Sequence, residues 1–426
     1  MIGKSMSSIK TPRGNVAVIG QGHVGLRVAL RAAEVGWQVA GYDVDEGRVK
    51  ELRAASGSMD GIDRERLRGV VEGGSYMPTA RAADVAGFDV AVIAVPTPVD
   101  AGAIRPDMSH VEDAARLAGA HLRAGAVVSV ESTVYPGATE EVVRPLLEAA
   151  SGLAAGTDFH LGHSPERIDT GNSVYTFENT PKLVSGVSAG SLEALAGFYS
   201  TLVESVVKVP GVAEAELAKI IENTFREVNV AFVNEIAAAA AALGIDAGEA
   251  FAAAATKPFG FLPFTPGPGA GGHCLVGAAT YLAWMGRERA GSPLQVVEAS
   301  LAANRRMTAG MVQRIHEGIR LRGGDLAGSR VLLLGLAYKA GVSQTESSPA
   351  VALANALVET GAEVMAADPY VGECRELSPA VARVEASGAL ARQVDAVVLL
   401  VDHPGFDLRE LFDTPAFVLN MRPTAS

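Results

Sequence analysis

The chain has 426 residues, 48% of them hydrophobic and 20% charged, and a net charge of −12 at pH 7. That length exceeds one ordinary core and implies two or three domains, and the acidic balance argues against a nucleic-acid partner because it repels phosphate. Two cysteines, Cys274 and Cys374, are too few for a disulfide framework and fit a reducing cytoplasm, while the absence of any apolar run of about 18 residues argues against a membrane span.

Residues 1–14 are polar, carry no apolar h-region and are expected to form a disordered tail rather than a signal peptide. From Asn15 the text becomes periodic. "VAVIG" is a short apolar run of buried-strand type, "VGLRVALRAAEVG" has helical spacing and "QVAGYDV" is a second strand, which makes a βαβ unit. "FDVAVIAV", "MSHVEDAARLAGAHL", "AVVSVEST" and "GATEEVVRPLLEAA" continue the alternation of strand and helix. Such alternation predicts an α/β, Rossmann-like parallel sheet over residues 15–209.

The pattern changes at Val212. Through Leu243 no strong breaker interrupts an Ala-, Leu- and Glu-rich run, so one long helix is expected. A helix of that kind in mid-chain links lobes or builds a dimer interface, and a homodimer through it is expected. "GEAFAAAAT", "VGAATYLAWMGRERAG" and "LQVVEASLAANRRMTAGMVQRIHEGIR" add helices to a central region, residues 210–318. After the turn-rich "LRGGDLAGS", the segments "RVLLLGLAY", "SPAVALANALVETG", "EVMAADP", "DAVVLLVD" and "AFVLNM" restore the alternation, which predicts a second, smaller Rossmann-like domain over 319–426.

Gly20, Gly22 and Gly25 form GxGxxG between the first strand and the first helix. The first allows a tight turn, the second lets a pyrophosphate approach backbone N–H groups, and the third lets helix pack on strand. Asp43, 18 positions after Gly25, ends the second strand, where a carboxylate accepts both ribose hydroxyls and repels a 2′-phosphate. NAD is therefore expected in preference to NADP; the alternative is that the glycines serve packing alone. Lys219 and Asn223 share one face of the long helix among apolar neighbours. Together they suit a developing oxyanion, or they are a snorkelling lysine and a surface amide.

Cys274 follows "GAGGH" and precedes a helical stretch. A helix N-terminus stabilises a thiolate and makes a nucleophile; a buried inert cysteine is the other reading. Cys374 has no such setting and reads as structural. In "HSPERIDTG", Glu166 and Arg167 either position a substrate or pair with each other at the surface. His163, His273 and His403 lack metal-ligand spacing, so no metal is expected.

Together "GQGHVGL", "VPTP", "ESTVYPG", "HSPERIDTGN", "NTPKLVSG", "AELAKIIENTFREVNVAFVNEIA", "TKPFGFLPFTPGPGAGGHC" and "GLAYK" resemble the UDP-glucose/GDP-mannose dehydrogenase family, in particular its UDP-N-acetylmannosamine dehydrogenase-like branch. The resemblance implies an NAD domain, a central helical dimerisation region and a C-terminal nucleotide-sugar domain. It places Gly20, Gly22, His23, Val24, Gly25, Asp43, Arg48, Val95, Pro96, Thr97 and Thr133 at the cofactor. It places Glu166, Arg167, Lys219, Asn223, Phe264, Gly267, Gly271 and Lys339 at the nucleotide sugar, with backbone from the 259–272 loop. The implied reaction oxidises a C6 hydroxymethyl to a carboxylate with two NAD. Cys274 carries a thiohemiacetal and then a thioester, Lys219 and Asn223 hold the oxyanion, and Thr133 and Glu166 order water.

The sequence also departs from the family text. Where relatives continue after the cysteine as "IPVDP", this chain reads "LVGAA", so Ala278 stands at the position of an aspartate thought to help activate water. Loss of a general base costs about 10²–10⁴-fold. "GLAYKAGVSQTESSPA" replaces "GLAYKPDVDDTRESPA", which puts Ser343 and Gln344 in place of two aspartates and Glu346 in place of an arginine. Asn420 stands for an aspartate, and Thr265 for a frequent tyrosine. These changes keep two alternatives open: an oxidoreductase of altered extent or position, and a protein that binds nucleotide sugar or NAD without turnover.

Overall fold

The computed structural model describes residues 13–57, 62–100, 105–172 and 174–421, apart from the side chains at 100, 273, 274 and 276. Twelve of the fourteen residues of the expected tail lie outside the described residues. The chain divides into two units, Met1–Ile220 and Ile221–Ser426.

In the first unit, β1 (Asn15–Ile19), α1 (His23–Glu34) and β2 (Gln38–Tyr42) form the expected βαβ, followed by α2 (Glu46–Arg53), α3 (Arg64–Glu72), β3 (Tyr76–Thr79) and β4 (Val90–Ile93). A short antiparallel pair, β5 (Val99–Asp100) and β6 (Arg105–Pro106), precedes α4 (Ser109–Ala120), β7 (Val127–Val130), α5 (Arg144–Ser151) and β8 (His160–His163). Then come β9 (Lys182–Val184), α6 (Ala189–Tyr199) and β10 (Val206–Lys208). Six parallel strands take the order β3-β2-β1-β4-β7-β8. The order reverses between β1 and β4, the switch point at which such sheets bind ligands beyond their carboxyl ends.

The near-continuous apolar runs have a direct cause. Val16 and Val18 of β1 pack in one core with Leu26, Leu195 and Tyr199, while Ala17 and Ile19 pack in a second core with Val111, Ala115 and Leu147. Helices cover both faces of the sheet, so successive residues are buried on opposite sides. β9 and β10, three residues each, form a separate parallel pair. They are too short to leave a periodic signature in the sequence.

The long helix α7 (Val212–Ala242) crosses from the first unit into the second. The second unit continues with α8 (Ala247–Ala255), α9 (His273–Glu288), α10 (Gln295–Arg320), β11 (Arg330–Leu334), α11 (Pro349–Glu359), β12 (Glu363–Ala367), β13 (Ala382–Arg383), β14 (Ala396–Leu399) and β15 (Phe417–Asn420). Its five strands are all parallel, in the order β13-β12-β11-β14-β15. β11 repeats the two-faced burial of β1: Val331 and Leu333 enter one core, Leu332 and Leu334 the other.

Candidate active site

The glycine loop between β1 and α1 is held from three sides. Gly20 N–H donates to Tyr42 O (2.8 Å), and Gln21 N–H donates to Asp43 Oδ2 (2.8 Å). The side chain of Gln21 is fully buried, bonded through Nε2 to Val18 O (2.8 Å) and through Oε1 to the Tyr76 hydroxyl (2.7 Å). Arg48 Nε reaches Gln21 O from α2 (3.1 Å). Asp43 thus orders the loop from the adjacent strand, and its other oxygen accepts from Asp45 N–H (2.9 Å).

Each glycine has its own steric reason. Gly20 has φ +93°, and a Cβ there would lie 2.4 Å from Ala94 O. A Cβ at Gly25 would lie 1.9 Å from Gly20 O, so helix and loop touch there. A Cβ at Gly22 would meet nothing within 4 Å; this residue is the N-cap of α1 and brings no capping side chain. An open backbone at a helix N-terminus is the cradle that a pyrophosphate requires, so these residues fit NAD.

The motifs "VPTP" and "ESTVYPG" are bonded together beside this loop. Val95 N–H donates to Ser132 Oγ (2.9 Å), Ser132 Oγ donates to Val95 O (2.8 Å), and Thr97 Oγ1 donates to Thr133 O (2.7 Å). From α7, the fully buried Glu216 accepts from Gly137 N–H (2.6 Å) and Thr139 N–H (2.9 Å), just beyond Thr133. Burial pushes the Glu216 carboxyl up to about 7, against the pull of its bonds to Thr139 and Gly137.

Lys219 and Asn223 are each 6% exposed, which rules out the snorkelling lysine and surface amide. Lys219 Nζ lies 3.8 Å from Glu166 Oε2. Glu166 Oε1 also accepts from Ile168 N–H, closing a tight turn. Arg167 Nη1 donates to Pro181 O (2.8 Å). Glu166 is therefore directed at Lys219 on α7.

In the second unit, α9 starts three residues earlier than its helical pattern, so Cys274 belongs to its first turn, with Gly272 as N-cap at φ +94°. The Cys274 side chain lies outside the described part. The preceding loop is seated on three elements. Gly267 N–H donates to Asn234 Oδ1 on α7 (2.9 Å), and a Cβ at Gly269 would lie 3.6 Å from Met307 Cβ on α10. A Cβ at Gly271 would lie 2.7 Å from Pro349 Cδ and 3.1 Å from Tyr338 Cβ, and the Tyr338 ring floors Gly272. Phe264 packs edge-on against Phe225, centroids 5.8 Å apart. Lys339 follows Tyr338 and is half-buried, Ala278 is fully buried, and Glu346 is exposed.

Several groups were not singled out by sequence reasoning. Glu131, Lys182 and Tyr199 form a buried network beneath the Glu166 loop. Glu227 accepts from Asn304 Nδ2 (2.8 Å), and burial pushes its carboxyl up. His403 is buried against Asp368: its Nε2 lies 3.0 Å from Asp368 Oδ2, and its Nδ1 accepts from Gly341 N–H (3.2 Å). Burial raises the Asp368 carboxyl, but His403 and the N–H groups of Leu336, Ala337 and Tyr370 outweigh it and hold the group well below its ordinary value. Only the helical spacing of Glu216 to Lys219, and of Asn223 to Glu227, was visible in one dimension.

A doubly wound sheet whose switch point carries an open glycine loop, with an ordering acid at the end of the adjacent strand, defines a dinucleotide-binding fold. The chain belongs to the UDP-glucose/GDP-mannose dehydrogenase family. Its NAD-binding domain model matches residues 14–203, its central domain model 213–306 and its UDP-binding domain model 332–424. The protein is an NAD-dependent oxidoreductase acting on a CH–OH group of a nucleotide sugar.

Among relatives, Protein CapL of Staphylococcus aureus is 36% identical over 83% of this chain and 82% of its own length. UDP-N-acetyl-D-mannosamine dehydrogenase of Pyrococcus horikoshii is 33% identical over 92% and 90%. UDP-N-acetyl-D-glucosamine 6-dehydrogenase of Pseudomonas aeruginosa is 34% identical over 84% and 83%. The solved structure of the Pyrococcus horikoshii UDP-D-ManNAc dehydrogenase superposes with a TM-score of 0.86 at 30% identity, covering 97% of this chain and 96% of that one.

Proposed function

We propose that the protein is a nucleotide-sugar 6-dehydrogenase that converts the C6 hydroxymethyl of a UDP-N-acetylhexosamine to a carboxylate. The observation that carries the reading is the buried Lys219 facing Glu166 at 3.8 Å. Relatives whose names specify UDP-N-acetylmannosamine and UDP-N-acetylglucosamine support the substrate class.

NAD, when bound, accepts the hydride in each of two successive oxidations. Gly20, Gly22, His23, Val24 and Gly25 would hold its pyrophosphate on backbone N–H groups with Arg48, Asp43 would accept from the ribose hydroxyls, and Val95, Pro96, Thr97 and Thr133 would complete the cofactor site. Lys219 and Asn223 donate to the oxygen on C6 as negative charge develops there. Glu166 takes the proton that this oxygen releases. The Cys274 thiolate, favoured by the first turn of α9, adds to the aldehyde carbon and leaves a thiohemiacetal. After the second oxidation the thioester carbon is attacked by water held by Glu166 and Thr133. The C–S bond breaks, and the thiol and a carboxylate are released. Arg167, Phe264, Gly267, Gly271 and Lys339 hold the nucleotide sugar.

The methyl of Ala278 takes no proton, so water activation falls on Glu166 and Thr133. A second reading follows from the same residue: the reaction stops at the thioester or the aldehyde. One assay separates the two. The protein is incubated with NAD and UDP-, GDP- and dTDP-sugars, NADH is counted per sugar, and products are identified by mass. Two NADH and a uronate support the proposal. One NADH, or an acyl adduct on Cys274, supports the second reading, and binding without NADH overturns both.

The stripe Ile221, Phe225, Phe232 and Ile236 on α7 is 42–53% exposed. We propose that this stripe buries itself against a second copy in a homodimer.

A further inference from the structure

Lys182 opens β9 and is 4% exposed; Glu131 follows β7 and is 1% exposed. Lys182 Nζ lies 2.8 Å from Glu131 Oε2. Such a pair is a poor device for stability, since two desolvated charges are commonly replaced by apolar residues of similar volume at no cost. Its geometry supplies another reason for it.

Lys182 Nζ has a second acceptor, the carbonyl of Pro165 at 3.2 Å, which belongs to the peptide joining Pro165 to Glu166. The neighbours of Lys182 hold the same loop on either side. Ser164 Oγ donates to Leu183 O (2.7 Å), and Arg167 Nη1 donates to Pro181 O (2.8 Å). Residues 181–183 thus act as a ruler for residues 164–167. Glu131 is itself fixed: the Tyr199 hydroxyl donates to its Oε1 (2.7 Å) and lies 2.7 Å from Ser129 Oγ. The rings of Tyr199 and Phe177 stand 5.1 and 5.7 Å from Lys182 Nζ and box the ammonium in. Burial and the charge of Lys182 bring His163, at the end of β8, down to about 3, so it stays neutral beside this pair.

We propose that Lys182, oriented by Glu131, is a positioning residue for the dehydrogenase reaction: it fixes the Pro165–Glu166 peptide and so aims the Glu166 carboxylate at Lys219. The inference rests on the reading of Glu166 and Lys219 as reacting groups. A displacement of about 1 Å at such a group costs on the order of 10²-fold in rate.

The test uses the full chain with the double variant Glu131→Leu/Lys182→Met and the single variant Lys182→Arg. The double variant is expected to melt within a few degrees of wild type. Its amides at 166–168 should exchange about tenfold or more faster, and its kcat should fall about 30-fold or more while KM for NAD stays within about threefold. Lys182→Arg keeps both hydrogen bonds and should retain kcat within about fivefold. A folded double variant with wild-type exchange at 166–168, or with kcat within about threefold of wild type, overturns the proposal. If the double variant does not fold, Glu131→Gln/Lys182→Met, which also removes the donor to Pro165 O and leaves no buried charge, decides by the same two readings. Amide exchange needs no turnover. A wild type that oxidises no nucleotide sugar therefore sinks the functional reading, while exchange still judges this one.

Discussion

Glu216 shows how one side chain on α7 acts at a distance from its own position. Its two oxygens satisfy the N–H groups of Gly137 and Thr139, so the loop that carries Thr133 is tied to the helix that carries Lys219. Burial outweighs those bonds and raises the carboxyl from 4.5 to about 7. The folded state therefore holds the proton more tightly than the unfolded chain. The stabilisation from that proton is complete below about 4.5 and is lost as pH rises through about 7, a difference on the order of 3 kcal/mol. Glu216→Gln cannot ionise and should lack this dependence. Melting curves from pH 5 to 8 should show wild type losing stability relative to the variant, and parallel curves would refute the assignment.

Two glycines of one loop, three positions apart, answer different demands at the scale of the element. A methyl at Gly25 would collide with Gly20 O at 1.9 Å and push α1 off the loop. A methyl at Gly22 would meet nothing within 4 Å and would stand in the proposed pyrophosphate site. Gly25→Ala should lower stability by about 1–3 kcal/mol, the range for overpacking. Gly22→Ala should melt like wild type and weaken NAD binding about tenfold or more, read by titration calorimetry. The loop before Cys274 follows the same logic. "GAGGH" is rich in glycine because Pro349 Cδ and the Tyr338 side chain stand where Cβ atoms at Gly271 and Gly272 would point. In one dimension the glycines only precede Cys274 and a helical stretch; their neighbours in the fold, Tyr338 of "GLAYK" and Pro349, lie more than sixty residues further along the chain.

For the whole molecule, α7 carries both the proposed dimer stripe and the proposed site side chains. Its buried face carries Lys219, Asn223, Glu227 and Asn234, and its exposed face carries Ile221, Phe225, Phe232 and Ile236. Phe232→Glu places a charge in the proposed dimer stripe and should convert a dimer to a monomer in light scattering; an unchanged mass would remove α7 from the interface. Among the described residues no helix is long and apolar enough to cross a membrane.

Local periodicity by itself determined the two parallel α/β sheets, the long helix between them, the glycine loop with Asp43, and Cys274 at a helix start. These features depend on neighbours in sequence, through strand and helix repeat and through turn chemistry. Only the tertiary structure decided that Lys219 is buried and faces Glu166, that Glu216 clamps the Thr133 loop, that Asp368 holds His403, and that Lys182 and Glu131 brace the Glu166 peptide. Those pairings join residues 17 to 79 positions apart. A charged side chain in one dimension looks the same on a solvated face as in a core. Burial and partner, which come from the packing of β7, β8, β9 and α7, give it its role.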